Sequence, residues 1–211
     1  MKKAFIFCNN PISYQNNNFT LDIDLSGIII AADGGANYLC KNGIIPDVLI
    51  GDFDSILPEC LSLLKEKSDV RKFPVDKDKS DTELAIEFCS QNGYKDVTLV
   101  NAVDGRLDHS LANIFLIEKF INQGLKFHFL NVNSEIYVVT EKAYIPTEIG
   151  ENISLISLTD FTIVKETSAL KFPLKNEKIY RSSSRGISNI TTEEEFSITV
   201  SDGILLVIIE R

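Results

Sequence analysis

The sequence predicts an α/β domain with a mostly parallel sheet, followed by a smaller all-β, sandwich-like domain. Up to residue 132, short apolar runs alternate with segments of helical periodicity, which is typical of a parallel sheet. From residue 133 onwards only short strands follow one another. The chain of 211 residues is long enough for two such units. We therefore expect an α/β domain over residues 1–132 and a β domain over residues 133–211.

The strands of the first domain are short apolar runs, and helices separate most of them. The runs predict strands over residues 3–8, 27–32, 48–50, 70–73, 97–101 and 126–131. The helical spacing of apolar residues predicts helices over residues 36–42, 57–67, 81–92 and 110–123. Ser80 and Glu83 form a capping box at the start of the third helix. Three asparagines at residues 16–18 indicate a surface loop.

The second domain shows no helical periodicity. Its sequence predicts strands over residues 136–139, 153–158, 161–165, 186–191, 196–200 and 204–210. Ser201, Asp202 and Gly203 predict a tight hairpin turn between the last two strands.

Composition excludes several classes of function. A formal net charge of −9 disfavours nucleic acid, because binding to a phosphate backbone requires a basic surface. No apolar run is long enough to span a bilayer. The four cysteines, at residues 8, 40, 60 and 89, are far apart and form no CxxC pair. Three of them lie in apolar segments, so we expect buried thiols rather than zinc ligands or a disulfide framework. These observations predict a cytoplasmic protein with no membrane or nucleic-acid partner.

Carboxylates follow the apolar runs of the first domain. In a parallel sheet the carboxyl ends of the strands meet at one edge, where open α/β folds bind ligands. Carboxylates gathered there would repel one another unless a cation lay among them. The pattern predicts a metal-assisted reaction on a phosphate-bearing ligand. The acidic residues of these clusters are Asp33, Asp52, Asp54, Asp78, Asp81, Asp104 and Asp108.

Asp52 and Asp54 flank Phe53. If this segment is extended, the two carboxylates share a face and lie roughly 6–7 Å apart, a span that suits Mg²⁺ ligands. The alternative is an acidic loop in which Asp54 or Ser55 caps the following helix.

Asp78 and Asp81 lie at the start of a helix, where the helix dipole favours carboxylates. Because Ser80 already fills the N-cap, one of the two acids has no evident structural role. The neighbouring Lys77 is a candidate phosphate contact, although a surface lysine is more often solvated.

Arg106 can bind phosphate oxygens through its guanidinium fork. His109 and Asn113 share a helical face, and the alternative for His109 is an ordinary surface residue. Asp33, Gly34 and Gly35 end a strand and open a helix, an arrangement that favours an anion but is a weak motif. No GxxxxGK[ST], GxGxxG or GxSxG motif is present.

In the second domain, Ser188 and Asn189 follow Gly186. Their side chains are neutral hydrogen-bonding groups that could bind a ligand. A β-turn or bulge explains the same residues without a ligand.

Together these segments resemble the thiamine pyrophosphokinase family. Residues 32–36 resemble its ADGGA segment, residues 46–55 its PDxxxGDFDS segment and residues 77–81 its KDxTD segment, with Ser80 in place of threonine. Residues 105–113 resemble GRxDHxLxN, residues 170–174 resemble GLKYPL, and Ser188 with Asn189 matches the SN segment. The chain departs from the family at Asn101, Asp104 and Ala169, where the family usually has glycine.

The resemblance implies a diphosphotransferase that transfers the pyrophosphoryl group of ATP to the hydroxyl of thiamine, giving thiamine diphosphate and AMP. It implies a homodimer that requires Mg²⁺. The implied metal ligands are Asp52, Asp54 and Asp81. The implied nucleotide-binding residues are Asp33, Gly34, Gly35, Lys77, Arg106, Asp108, His109 and Asn113. The implied thiamine-binding residues are Leu170, Ser188 and Asn189. The implied catalytic residues are Asp52, Asp54, Asp78, Asp81 and Arg106, and either Asp78 or Asp81 is a candidate to accept the hydroxyl proton.

Two other functions fit the carboxylates. A metal-dependent phosphohydrolase would use water as the acceptor, but it would not need a second domain. A nucleotide-sensing module without catalysis would rarely need so many acids at one edge.

Overall fold

Parallel strands bring the predicted site residues to one edge of a sheet. The computed structural model describes residues 1–10, 24–103 and 105–210. It divides into two units, Met1–Val132 and Asn133–Arg211. The predicted loop at residues 16–18 and Asp104 lie outside the described residues.

The described part of the first unit has six strands, in the order β6-β5-β1-β2-β3-β4, and every neighbouring pair is parallel. They are β1 (Lys2–Phe7), β2 (Ile28–Ala32), β3 (Val48–Gly51), β4 (Asp69–Lys72), β5 (Tyr94–Val100) and β6 (Lys126–Leu130). The helices are α1 (Gly35–Lys41), α2 (Pro58–Lys67), α3 (Asp81–Gln91) and α4 (Leu107–Ile121). This is the predicted mostly parallel α/β arrangement.

The central strands are apolar because both faces of the sheet are covered. Ile6, Ile30, Leu49 and Leu99 have no exposed surface. Gly35 allows α1 to begin against β1, since a Cβ at this position would lie 2.0 Å from the Phe7 carbonyl oxygen. Helix α1 therefore begins directly after the acidic end of β2.

Two of the predicted polar segments lie at the N-termini of helices α3 and α4. The Ser80 side chain accepts a hydrogen bond from the Glu83 backbone N–H at 3.2 Å, which confirms the predicted N-cap of α3. The predicted start of α4 at residue 110 is wrong, because the helix begins at Leu107. Ser110 lies inside the helix and its hydroxyl donates to the Arg106 carbonyl at 3.0 Å. His109 is consequently a first-turn residue of α4.

The described part of the second unit consists of antiparallel strands in two layers. One layer has the order β12-β9-β14-β7 and the other β11-β10-β13-β8. Apolar side chains such as Leu155, Val164, Phe196 and Val207 form its buried core. The strands are β7 (Ser134–Val139), β8 (Lys142–Pro146), β9 (Asn152–Ser157), β10 (Phe161–Thr167), β11 (Lys175–Tyr180), β12 (Asn189–Ile190), β13 (Glu195–Asp202) and β14 (Leu205–Glu210). The sandwich-like β region is thus as predicted.

Three details of this unit differ from prediction. Strands β8 and β11 were not predicted, because they are short edge strands whose residues are largely exposed and, in β11, mostly polar. The expected strand over residues 186–191 is reduced to β12, since Gly186 and Ser188 have φ of 103° and 56°. The turn before β14 is not a hairpin, because β13 and β14 pair with strands of different layers.

The expectation of thiols rather than disulfides is wrong for two of the four cysteines. Cys40 and Cys60 form a disulfide that links α1 to α2. Twenty residues separate them in sequence, and only the packing of the two helices brings their Cα atoms to 6.0 Å. Cys8 and Cys89 are free and buried, as predicted. Among the described residues, no helix combines the length and apolarity needed to cross a membrane.

Candidate active site

A cleft of about 340 Å³ lies at the carboxyl ends of β1, β2, β3 and β5. Its walls are predominantly polar and come from the first unit alone. The residues that line it are Cys8, Asn9, Ala32, Asp33, Asp52, Asp54, Ser55, Asp81, Thr82, Asn101, Ala102, Gly105, Arg106, His109, Ser110 and Asn113. The position agrees with the ligand-binding edge expected for an open α/β sheet.

Three carboxylates meet inside this cleft. Asp33 follows β2, Asp52 follows β3 and Asp81 is the first residue of α3. One oxygen from each lies within 4.8 Å of the others. Asp33 is buried, and Asp52 and Asp81 are half-buried. We refer to Asp33, Asp52 and Asp81 as the acidic cluster.

Lys77 partly neutralises the acidic cluster. Its Nζ donates a hydrogen bond to Asp52 Oδ2 at 2.7 Å and lies 3.1 Å from Asp81 Oδ1. The Lys77 side chain is itself only 14% exposed. An ion pair with this little solvent contact is screened less than a surface pair. Lys77 is therefore a constituent of the site rather than a solvated surface residue.

Burial and neighbouring charges shift the pKa values of the acidic cluster in opposite directions: those of Asp33 and Asp81 are raised, and that of Asp52 is lowered. Burial raises the pKa of Asp33, and the charges of Asp54 and Asp52 add to this effect, although hydrogen bonds from Gly34 and Ser55 oppose it. Burial likewise raises the pKa of Asp81, against the opposing effect of Lys77. The hydrogen bond from Lys77 instead lowers the pKa of Asp52. The site thus resists full ionisation unless further positive charge enters it.

Two buried carboxylate oxygens of the cluster accept no hydrogen bond within the described residues, Asp81 Oδ1 and Asp33 Oδ1. Asp81 Oδ1 still has Lys77 Nζ at 3.1 Å as its ion-pair partner. Asp33 Oδ1 is buried and accepts no hydrogen bond within the described residues. A buried unsatisfied oxygen is costly, on the order of 1–3 kcal/mol. An oxygen in this state is well suited to coordinate a cation or to accept a hydrogen bond from a ligand.

The local geometry at Asp54 differs from the expectation. Phe53 has φ of 72°, so residues 52–54 are not extended as predicted. The chain turns there, and the Asp54 backbone N–H donates to Asp52 Oδ1 at 3.2 Å. The Asp54 carboxylate accepts a hydrogen bond from Ser55 at 2.8 Å. Asp54 still lines the cleft, but Asp33 takes its expected place beside Asp52 and Asp81.

The start of α4 forms another wall. Arg106 donates to Asp108 from two nitrogens, at 2.6 and 3.1 Å. This pairing lowers the pKa of Asp108 to about 2. Arg106, His109 and Asn113 line the cleft. Asn113 is buried, and its amide donates to the Ala102 carbonyl at 2.8 Å.

Two further predicted residues differ in how they relate to the cleft. Asp78 is exposed and is not among its lining residues in the described part of the chain. Gly34 lies against Asn9, since a Cβ there would approach the Asn9 side chain to 2.5 Å. Gly34 and Gly35 therefore keep the backbone close to the cleft floor.

The three predicted thiamine contacts lie in the second unit and are not equivalent. Ser188 is exposed, whereas Leu170 and Asn189 are buried. The Asn189 amide donates to the Phe172 carbonyl at 2.7 Å and accepts from the Phe172 backbone N–H at 3.0 Å. Phe172 is held by this pair and its ring is largely exposed.

Sequence reasoning missed several residues of the cleft. Asn9 lies two residues after β1 and Asn101 directly follows β5, so their position after an apolar strand could have revealed them. Thr82 donates to the Cys8 sulfur at 3.6 Å, and burial raises the pKa of that thiol to about 12. Cys8 is therefore a protonated wall residue rather than a nucleophile.

Comparison with protein families gives two matches. Residues 21–129 match the catalytic domain of thiamin pyrophosphokinase, and residues 135–205 match its vitamin B1 binding domain. The first match alone spans half of the chain.

Individual proteins agree with the family matches. The chain is 30% identical over 183 residues to thiamine pyrophosphokinase of Bacillus subtilis, covering 85% of each chain. It is 25% identical over 203 residues to thiamine pyrophosphokinase 1 of Oryza sativa, covering 83% of this chain and 76% of the relative. The crystal structure of the Bacillus subtilis protein superposes with a TM-score of 0.84 at 25% identity over 99% of each chain. The Candida albicans enzyme shares the fold, with a TM-score of 0.76 at 20% identity, covering 100% of this chain and 89% of that chain.

Asp33→Asn should stabilise the metal-free protein at pH 7.5 by about 1 kcal/mol, since it removes a buried charge. The folded-state pKa of Asp33 is raised, so between its ordinary value and the raised one only the folded state holds the proton. Stability of the wild type therefore falls as pH rises through that window. The advantage of Asp33→Asn should shrink towards pH 4. Urea unfolding in EDTA across this range measures it.

Asp54→Asn is the matched control, because Asp54 is exposed and lies outside the acidic cluster. It should give no comparable gain at pH 7.5. A loss of stability in Asp33→Asn, or a gain that does not change with pH, would contradict the electrostatic explanation of the cluster.

Proposed function

This chain belongs to the thiamin pyrophosphokinase family, and we propose that it transfers the pyrophosphoryl group of ATP to the hydroxyl of thiamine. The products are thiamine diphosphate and AMP. The observation that carries this proposal is the acidic cluster with Lys77, set in a polar cleft at the edge of a parallel sheet. Such a site suits phosphoryl transfer, which depends mainly on positioning and charge neutralisation.

The acidic cluster fits Mg²⁺. Its donors are carboxylate oxygens, the ligands that this hard cation prefers. Asp33 Oδ1 is a buried ligand atom without another partner among the described residues, which supports a cation beside it. We propose Asp33, Asp52 and Asp81 as the ligands, with Asp54 near enough to join them. The ion would neutralise charge on the phosphate oxygens.

Lys77 and Arg106 supply the mobile positive charge. The Lys77 ammonium already lies in the acidic cluster and can turn to phosphate oxygens when a nucleotide enters. Arg106 is held by Asp108 through two of its five donors, and within the described residues its other N–H groups have no partner and can bind phosphate. His109 and Gly34–Gly35 complete the phosphate-facing surface.

Deprotonation of the attacking hydroxyl has two candidates. Asp81 lines the cleft, and its oxygen that does not bind the proposed cation could accept the proton. Asp78 is exposed. These facts favour Asp81 over Asp78.

We propose that thiamine contacts Ser188 and the exposed ring of Phe172 in the second unit. Aromatic rings stack well on flat heterocycles and attract cations. Asn189 contributes indirectly, because its amide fixes the Phe172 backbone, and Leu170 packs in the core beneath. The net charge of −9 also suits the cationic thiazolium ring.

We further propose a homodimer. Leu107, Leu111 and Phe115 lie one helical turn apart on α4 and are exposed, with Phe115 at 51%. They form an apolar stripe on the face of α4 that points away from the buried Asn113, and we propose that a second copy packs against this stripe. A stripe of this kind is unusual on a monomer.

ATP is a cytoplasmic metabolite, and we propose that the protein acts in the cytoplasm. Disulfides are rare in that compartment, so the Cys40–Cys60 bond is the observation that counts against this location.

The purified protein should convert ATP and thiamine to AMP and thiamine diphosphate in equal amounts, and only when Mg²⁺ is present. Chromatography of the nucleotides, with mass detection of the thiamine product, measures both. Release of ADP, or of phosphate without thiamine, would indicate a different transferase or a phosphohydrolase.

Asp52→Asn should lower kcat by at least about 100-fold, because it removes a charge that holds both Lys77 and the proposed cation. Its melting temperature should stay near that of the wild type. Asp69→Asn is the control, since Asp69 is an exposed residue of β4 that pairs with Arg71. Unchanged turnover in Asp52→Asn would remove this residue from the site.

Phe115→Lys should raise the dissociation constant of the dimer at least about 10-fold, because it buries a charge in an apolar contact. Sedimentation velocity over a concentration series measures this. Lys119→Gln, one turn further along α4, should dimerise like the wild type. A wild-type monomer, or a Phe115→Lys dimer of equal affinity, would argue against this interface.

A further inference from the structure

Asn101 is a buried polar residue that the reaction outlined above does not use. It directly follows β5, is 2% exposed and lines the cleft. Its backbone N–H donates to the Leu130 carbonyl at 2.8 Å. Its side-chain Oδ1 is buried and has no hydrogen-bond partner within the described residues.

Backbone conformation explains the asparagine only in part. Asn101 has φ of 58°, and asparagine adopts this left-handed region more readily than most residues. Glycine would meet that requirement without placing an amide in the cleft. A buried carbonyl oxygen without a hydrogen-bond partner lowers the stability of the fold. A ligand that donates a hydrogen bond to this oxygen would remove that cost.

The loop that carries Asn101 is fixed in place. Side chains from α4 and from the segment after β6 bond to its backbone at the two following residues. These bonds are Asn113 Nδ2 to the Ala102 carbonyl at 2.8 Å, Ser110 Oγ to the Val103 carbonyl at 2.8 Å, and the Val103 N–H to Asn131 Oδ1 at 3.2 Å. The Asn101 amide is therefore preorganised, and a ligand that meets it loses little binding energy in ordering it.

The chemistry of the two substrates limits which of their groups could donate a hydrogen bond to Asn101 Oδ1. Phosphate oxygens are acceptors, so they cannot satisfy a carbonyl oxygen. The hydrogen-bond donors of ATP are the exocyclic amino group of adenine and the ribose hydroxyls. Thiamine carries two donors, an amino group and the reacting hydroxyl, but Asn101 lies in the catalytic-domain match over residues 21–129, outside the vitamin B1 match over residues 135–205. A bond from the thiamine hydroxyl would change the KM for thiamine, which the experiment below measures.

We propose that Asn101 is a specificity-determining residue whose Oδ1 accepts a hydrogen bond from the nucleoside part of ATP. This rests on the proposed function, since it presumes that the cleft binds ATP. The adenine amino group and a ribose hydroxyl are the two sources of the same donor chemistry. Either one would make this chain select its nucleotide by a contact separate from the triphosphate.

Asn101→Gly tests the proposal, because glycine accepts the positive φ and removes the amide. Asn176→Gly is the matched control, since Asn176 also has positive φ, at 51°, but is exposed in β11. Melting temperatures of both variants show that the fold is kept. Binding of ATP with Mg²⁺, measured by titration calorimetry without thiamine, and kcat/KM for ATP at saturating thiamine are then compared.

Asn101→Gly should weaken ATP binding and lower kcat/KM for ATP about 10-fold, the scale of one hydrogen bond at a buried acceptor. The KM for thiamine should not change. Asn176→Gly should behave like the wild type in both assays.

Nucleotide analogues identify the donor. If it is the adenine amino group, inosine triphosphate should be about 10-fold poorer than ATP for the wild type, and equal to it for Asn101→Gly. If it is a ribose hydroxyl, the 2′- or 3′-deoxy analogue should show that pattern instead.

Equal ATP affinity in wild type and Asn101→Gly, or a change confined to thiamine, would overturn the inference while the proposed function stood. Absence of ATP binding by the wild type would instead refute the proposed function, and the two failures are therefore distinct.

Discussion

Three aspartates share one cleft, and the repulsion between their charges is the constraint on which the rest of the site depends. Asp33 and Asp52 come together because β2 and β3 are adjacent parallel strands, while α3 begins with Asp81 at the same edge. Lys77 lies among the charges, and burial raises the pKa values of Asp33 and Asp81. The positive charge of Lys77 and the raised pKa values both reduce the repulsion between the three carboxylates.

Backbone strain is concentrated at the same edge. Asp33, Phe53 and Asn101 have positive φ, and each lies where a strand ends at the cleft. Such conformations cost on the order of 1 kcal/mol or more each and persist only where the surrounding fold enforces them. The buried parallel sheet provides that enforcement, because β1 and β2 each pair with a neighbouring strand on both sides. The positive φ angles therefore set the directions of the side chains at these strand ends, and two of these residues, Asp33 and Asn101, line the cleft.

Sequence patterns predicted the parts of this arrangement that depend on local rules. Apolar runs predicted the strands, so the order of strands and acids along the chain was enough to place the acids after β2 and β3 at one edge. The Ser80 cap was predictable because its bond spans three residues. The identity of the third cluster member was not, since it depends on φ at Phe53, which no propensity predicts. The Cys40–Cys60 pairing depends likewise on how two helices pack.

Predictions were also weaker where polar strands replaced apolar ones. Strand β11 carries lysine, asparagine and glutamate at the edge of its sheet, so its pattern is that of a loop. In the same unit, Asn189 matched a motif but uses its amide on the Phe172 backbone. A motif identifies which residues matter and leaves open whether a side chain touches the ligand or holds a neighbour that does.

Lys77 explains how the fold can keep three carboxylates together before any ligand arrives. When all three are ionised, its single positive charge leaves two negative charges in the cluster, which one divalent cation balances. An uncharged residue at position 77 would leave a third negative charge unbalanced in a half-buried site. Asp52 would then lose the bond that lowers its pKa, and the ionised form needed to hold a cation would become harder to reach. The lysine thus stabilises the ionised cluster in the ligand-free protein through its contacts with Asp52 and Asp81.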